Sequence, residues 1–168
     1  KSIITNDKAK VSSASYVILP GVGSANSVMQ SLKSNNLLDT VKHLTSPVLG
    51  ICIGMHVLFD QSEENNTECM GIISGNIKKF NPELNIKVPQ MGWNKVTFLQ
   101  EQVKKLDDYY YFANSYYSQI YNHTLATAEY GEPFAATIQK NNFLGCQFHP
   151  EKSSHAGKRF LNYFFNEI

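Results

Sequence analysis

The sequence predicts a single α/β domain, a mixed β-sheet with helices on both faces. Three observations predict it. In the first part of the chain, short apolar runs alternate with stretches of helical spacing, the pattern of parallel strands joined by helical crossovers. From about Gly71 the pattern changes to short strands separated by turn residues. The last stretch returns to helical spacing with one apolar face. A chain of 168 residues, 42% hydrophobic and 17% charged, is long enough to bury a sizeable core and has the balance of a globular protein.

The elements follow in order. Residues 1–5 (Lys-Ser-Ile-Ile-Thr) read as an opening strand. Tyr16-Val17-Ile18-Leu19 is a short apolar strand closed by Pro20-Gly21. Ser24 is placed to cap a helix with Val28, Met29 and Leu32 on its buried face. Leu37, Leu38, Val41 and Leu44 have the spacing of a second helix, and Pro47 ends the connection. Val48-Leu49-Gly50-Ile51 is a buried strand that turns at Cys52 into a helix. Candidate strands then cover residues 72–79, 95–99, 109–112, 125–130, 134–139 and 143–148. Asn141-Asn142 marks a hairpin turn between the last two. Ser153 or Ser154 is expected to cap a terminal helix with Ala156, Phe160, Leu161, Phe164 and Phe165 near one face. No repeat, low-complexity tract or linker interrupts the chain.

Composition excludes several classes. A net charge of +1 gives no electrostatic case for nucleic acid or an anionic membrane as partner. No apolar run approaches the roughly 20 residues that span a bilayer. Cys52, Cys69 and Cys146 are an odd number without a disulfide-framework spacing, which fits a reducing, cytoplasmic compartment. Cys69 reads as a loop or strand-edge residue and Cys146 as core. Cys146, His149 and His155 have poor spacing for zinc, so no metal is expected.

The chemistry concentrates in Gly50-Ile51-Cys52-Ile53-Gly54 and His149-Pro150-Glu151. A tight strand-to-helix turn holds a sulfur clear of its own backbone, and the flanking glycines admit close neighbours. A helix N-terminus beside Cys52 favours thiolate over thiol. His149 can take or relay the proton and Glu151 can orient the imidazole. Taken alone, Cys52 reads as a small buried hydrophobe; the two motifs together outweigh that reading. The Ile53 N–H, just after the nucleophile, is one candidate oxyanion donor. His43 and His123 read as surface residues.

These motifs resemble the class I (triad) glutamine amidotransferases. The match narrows with Leu19-Pro20-Gly21-Val22-Gly23-Ser24, Pro89-Gln90-Met91-Gly92-Trp93-Asn94, Tyr111-Phe112-Ala113-Asn114-Ser115-Tyr116-Tyr117 and Gln147-Phe148-His149-Pro150-Glu151-Lys152-Ser153. Their order resembles the glutaminase subunits of imidazole glycerol phosphate synthases, and the likeness runs from about Ile3 to the end. It implies a flavodoxin-like amidotransferase fold and hydrolysis of glutamine to glutamate and ammonia. By the same likeness the 21–23 loop (Gly21, Val22, Gly23) supplies the second oxyanion donor, its glycines permitting a peptide flip. The substrate carboxylate is expected at Asn114, Ser115 and Tyr116, and its ammonium near Glu64. Trp93 and Lys152 are expected at the interface with a (β/α)₈-barrel cyclase that takes the ammonia in a heterodimer for histidine biosynthesis. No organic cofactor is implied.

Two positions depart from the family pattern. His56 stands where a substrate-positioning glutamine is usual, and Asn114 where histidine often precedes Ser-Tyr-Tyr. The family also opens with one more strand and helix, carrying an Asp-Tyr-Gly-x-Gly-Asn segment with no counterpart here. Residues 1–168 are therefore expected to be one amidotransferase domain without its N-terminal strand–helix unit, and their start says nothing about a signal or transit peptide. Three rival readings stay open: a paralogue feeding ammonia to a sugar-modifying synthase of surface-polysaccharide synthesis, a catalytically silent binding subunit, and a cysteine peptidase on a related fold.

Overall fold

The computed structural model describes residues 2–168. In chain order the elements are α1 (Lys8–Ser12), β1 (Val17–Leu19), α2 (Ala25–Ser34), α3 (Leu38–Lys42), β2 (Val48–Ile51), α4 (Ile53–His56), β3 (Gln61–Ser62), β4 (Thr67–Glu68), β5 (Asn76–Lys79), β6 (Gln90–Phe98), β7 (Asp108–Asn114), β8 (Tyr116–Ser118), β9 (Thr124–Tyr130), β10 (Glu132–Lys140), β11 (Phe143–Cys146) and α5 (Ser154–Glu167). They form one mixed sheet whose main path runs β1-β2-β11-β10-β8-β5-β3-β4. β1, β2 and β11 are parallel, and β10 is antiparallel to β11.

Local chemistry explains most of these elements. Ser24 accepts the Ser27 N–H while Ser27 Oγ accepts the Ser24 N–H, a reciprocal cap that starts α2. Asn141 takes positive φ between Lys140 and Phe143, which face each other across the β10–β11 hairpin. The Asn142 amide then donates to the carbonyls of Leu44 and Ser46, both at 2.8 Å. That ties the hairpin to the loop entering β2 and fixes the register of the central strands.

Two apolar clusters lie on opposite faces of the sheet. Val48 belongs to one and its neighbour Leu49 to the other, as strand alternation requires. The first gathers Ala25, Met29 and Leu32 of α2 with Met55, Leu58 and Phe59. The second is aromatic: Phe148 stacks on Tyr110 at 4.1 Å and meets Phe160 of α5 edge-on at 5.0 Å.

The sheet forks beside β11. β9 pairs with β10 over residues 132–138, which occupies one edge of β10. β11 and β8 must then share the other edge, β11 opposite residues 137–140 and β8 opposite Ala135. The chain leaves the sheet just after Cys146, and β8 takes up the vacated pairing.

Several expected elements differ. Residues 2–5 are not a strand, and Lys1 lies outside the described residues; Ile3 and Ile4 are exposed, without the cross-strand partners a strand needs. The strand expected over 72–79 shortens to Asn76–Lys79, because 71–75 turns back on the Asp60 loop. β6 begins five residues earlier than the 95–99 expectation: its first part pairs only with β7, and its last two positions with β9. Ser153 occupies the cap position of α5, but its hydroxyl is used elsewhere and makes no cap bond.

Candidate active site

The elbow is built as its glycines suggest. Cys52 has φ 49° and ψ −107°, a strained conformation for a residue with a side chain. Its own N–H donates to the Cys146 carbonyl at 2.7 Å, anchoring the turn to the neighbouring parallel strand. Any side chain at Gly54 would collide with the Leu19 carbonyl, so glycine lets α4 sit directly on β1. At Gly21 an added Cβ would lie 2.9 Å from Cys52 Cβ and 3.2 Å from His149 Cε1. The 21–23 loop therefore runs close against both the cysteine and the imidazole, and only glycine fits there.

His149 and Glu151 lie on the turn after β11. His149 Nδ1 and Glu151 Oε1 are 2.8 Å apart, with the imidazole largely buried and the carboxylate half-exposed. β7 holds this turn. The His149 N–H donates to the Tyr111 carbonyl at 2.8 Å, the Tyr111 N–H donates to Ser153 Oγ at 2.9 Å, and Ser153 Oγ donates to the His149 carbonyl at 2.7 Å. Three hydrogen bonds thus fix the imidazole's backbone, with the fully buried Ser153 hydroxyl at their centre.

At the sulfur, burial outweighs the expected helix-dipole effect. Burial pushes the Cys52 pKa up to about 11, and the charges of Glu151 and Glu64 act in the same direction. The Ile53 N–H and the Gln147 amide pull the other way without compensating. α4 is a single turn of four residues, so its dipole is small. Among the described residues, no hydrogen bond joins Sγ to His149; its side-chain donor is Gln147 Nε2, at 3.6 Å.

The other expected site residues are distributed as follows. Val22 is exposed on the 21–23 loop beside Cys52 and His149. The Ile53 N–H is directed at Sγ in this state rather than at an open oxyanion position. Glu64 lies close enough to act on the sulfur, yet its Oε2 accepts the Ala25 N–H at 2.7 Å, tying the loop after α4 to the start of α2. Asn114, Ser115 and Tyr116 form the β7–β8 junction, three residues beyond the Tyr111 clamp. There Asn114 Nδ2 donates to the Tyr116 carbonyl and the Ser115 carbonyl accepts the Phe80 N–H, both at 3.0 Å. Asn114 Oδ1 is buried without a partner among the described residues, an acceptor that calls for a donor rather than a carboxylate.

His56 is 1% exposed, with Nε2 2.8 Å from Gln147 Oε1, its one side-chain hydrogen bond among the described residues. Trp93 is 53% exposed and meets Tyr111 edge-on, while Lys152 Nζ lies 5.8 Å from the Tyr111 ring centroid. Gln147 is the site residue that sequence reasoning misses. The available signal is its place at the end of the expected 143–148 strand, two positions before His149, although the chain bends at 147–148 and tertiary packing brings its amide to the sulfur.

A buried elbow cysteine, a His–Glu pair and a glycine loop close to both lie together on a forked α/β sheet. A family model described as "Glutamine amidotransferase class-I" matches residues 2–168, and the chain belongs to that family. Its relatives include the imidazole glycerol phosphate synthase subunit HisH of Pasteurella multocida, 44% identical over 98% of this chain and 85% of the relative. The HisH of Bacteroides fragilis is 41% identical over 98% and 86%. Among solved structures, a glutamine amidotransferase superimposes with a TM-score of 0.73 at 13% identity, covering 98% of this chain and 85% of that one. The glutaminase domain of Trypanosoma brucei CTPS gives 0.59 at 12%, covering 92% and 72%. At such identities the structural likeness speaks for the fold.

Proposed function

We propose that this chain is the glutaminase subunit of an imidazole glycerol phosphate synthase, producing ammonia from glutamine for a cyclase partner. The single observation that carries the reading is identity above 40% to HisH subunits along almost the whole chain. The Cys52–His149–Glu151 arrangement gives the reading its chemistry.

Cys52 is the nucleophile. As Sγ attacks the side-chain amide carbon of glutamine, its proton passes to His149, whose ring is oriented by Glu151. The C–N bond breaks as His149 returns that proton to the leaving nitrogen, and ammonia departs from a glutamyl thioester. Water, deprotonated by His149, attacks the thioester; the C–S bond breaks, and glutamate and the thiol are regenerated. Glutamine and water enter, glutamate and ammonia leave. The oxyanion formed twice on this path needs preorganised N–H donors; the candidates are the Ile53 N–H, which is freed once Sγ moves onto the substrate carbon, and the 21–23 loop that the family resemblance assigns. By the family resemblance Glu64 is the candidate partner for the substrate's ammonium, and the backbone of the 114–116 junction the candidate partner for its carboxylate.

Free ammonia is lost to water and to protonation, so it is consumed at a partner. The docking face is the exposed β6–β7 arm: Met91 (66%), Trp93 (53%) and Tyr109 (56%) present apolar surface next to the Tyr111–His149 clamp. Its occupant is the (β/α)₈-barrel cyclase, with Lys152 pairing across the interface. The complex works in the cytoplasm, where Cys52, Cys69 and Cys146 remain free thiols. No observation favours the sugar-modifying paralogue, since His56, its one support, is engaged with Gln147.

The test is glutamate release from glutamine by the full-length protein, alone and with the cognate histidine-pathway cyclase plus its ribotide ligand. Low activity alone, a large rise with partner and ligand, and none with Cys52→Ala are expected. Activity indifferent to that cyclase, or retained by Cys52→Ala, contradicts the reading.

A further inference from the structure

Two fully buried polar side chains beside the nucleophile have no part in the chemistry above. They form a chain of hydrogen bonds ending on the reacting sulfur: His56 Nε2 to Gln147 Oε1 at 2.8 Å, and Gln147 Nε2 to Cys52 Sγ at 3.6 Å. We propose that Gln147 is the side-chain donor that stabilises the Cys52 thiolate, and that His56 is a positioning residue that locks the Gln147 amide with its N–H toward sulfur. The inference rests on Cys52 being the nucleophile.

A carboxamide has two unlike ends. Turned one way, it presents N–H to sulfur and favours thiolate; turned the other, it presents a carbonyl oxygen and favours thiol. The group at the far end decides between them. To donate to Gln147 Oε1, His56 must carry its proton on Nε2. Its Nδ1 is buried without a partner among the described residues. In the Nε2–H tautomer that orphan is a lone pair, which a buried site tolerates better than a stranded N–H. The opposite tautomer would strand an N–H at Nδ1 and turn the Gln147 amide over. Burial also lowers the His56 pKa to about 4, so near neutral pH the ring is uncharged and acts as one fixed donor.

The surroundings make this donor matter. Burial and the charges of Glu151 and Glu64 all oppose a thiolate at Cys52, and Cys146 sits close enough to couple with it. Gly21 packs against both Cys52 and the His149 ring. Against those influences the structure aims two donors at Sγ, the Ile53 N–H and the Gln147 amide. The backbone donor is fixed by the elbow; the amide would be free to turn over without His56.

The test follows alkylation of Cys52 by iodoacetamide against pH, read by mass spectrometry of the Cys52 peptide, in full-length protein. Gln147→Met and His56→Leu should shift the profile to higher pH and slow labelling at fixed pH by about tenfold, the size of one lost hydrogen bond to a charged group. His56→Gln retains an N–H donor and should recover most of the rate. Profiles that coincide across these variants overturn the proposal. Should His56→Leu fail to fold, ¹⁵N NMR of the wild-type ring decides: a proton on Nε2 supports the lock, and a proton on Nδ1 alone overturns it. Cys52→Ala separates the two levels. If it still hydrolyses glutamine, the nucleophile assignment fails; if it is inactive while the alkylation profiles coincide, only the relay fails.

Discussion

Burial governs the site residue by residue. Burial pushes the Cys52 thiol pKa up to about 11, which disfavours a standing thiolate in this state. Burial acts on His56 in the opposite sense, keeping the ring neutral. Its folded pKa of about 4 lies below the ordinary 6.5, so the unfolded chain binds the extra proton in that interval. The resulting stability is fully present above pH 6.5 and is lost as pH falls toward 4, amounting to roughly 3 kcal/mol for a fully buried group. Urea unfolding of wild type and His56→Gln at pH 7 and pH 5 checks this: wild type should lose more stability on acidification, and equal losses would contradict it. The His149–Glu151 contact and the glycine loop against Cys52 were legible in the sequence because each lies in a short motif of distinctive chemistry. The sulfur's protonation state was not, because it depends on how completely the fold covers it.

At the scale of elements, the site is a product of three strand ends. β2 delivers Cys52, β11 delivers Gln147 and His149, and β7 clamps the turn that carries His149 and Glu151. Ser153 is the centre of that clamp. Ser153→Ala leaves the part-buried Tyr111 N–H without its acceptor and frees the His149 carbonyl, which should cost about 1–3 kcal/mol of stability. It should also lower kcat more than KM, since the imidazole rather than the substrate contacts is disturbed. Thermal unfolding with steady-state kinetics measures both, and an unchanged kcat would show that the clamp does not position the base. The strand–helix alternation, the Ser24 cap and the Asn141-Asn142 turn were legible because each has a local signal. The short helix α1 was not, since Val11 is its one buried residue and it has no apolar stripe. The two-residue β3 and β4 exist through pairing alone. Ser153 has the composition of a helix cap, and only tertiary contacts redirect its hydroxyl.

For the whole molecule, the β6–β7 arm links an exposed apolar face to the catalytic turn. Trp93 sits opposite Tyr111 in the ladder, and the Tyr111 backbone holds both His149 and Ser153. A partner seated on Trp93 therefore bears directly on the strand that positions the imidazole. Trp93→Ala should weaken cyclase binding by about 2 kcal/mol, near thirtyfold in Kd, while leaving Cys52 alkylation of the isolated chain unchanged. Titration calorimetry against the cyclase reads the first effect, and wild-type affinity in the variant would remove this face from the interface. By composition alone Trp93 belongs in the core; the family resemblance puts it at an interface, and its exposure agrees with a surface role. The fork of the sheet was not visible in the sequence, because it arises from three strands competing for the two edges of β10. Every step of the chemistry depends on Cys52 being the thiol that meets glutamine, and labelling with a chloroketone analogue of glutamine measures this most directly. One label per chain, mapped to the Cys52 peptide and prevented by excess glutamine, is the predicted result. Label on Cys69 or Cys146 instead, or label that glutamine does not prevent, would contradict it.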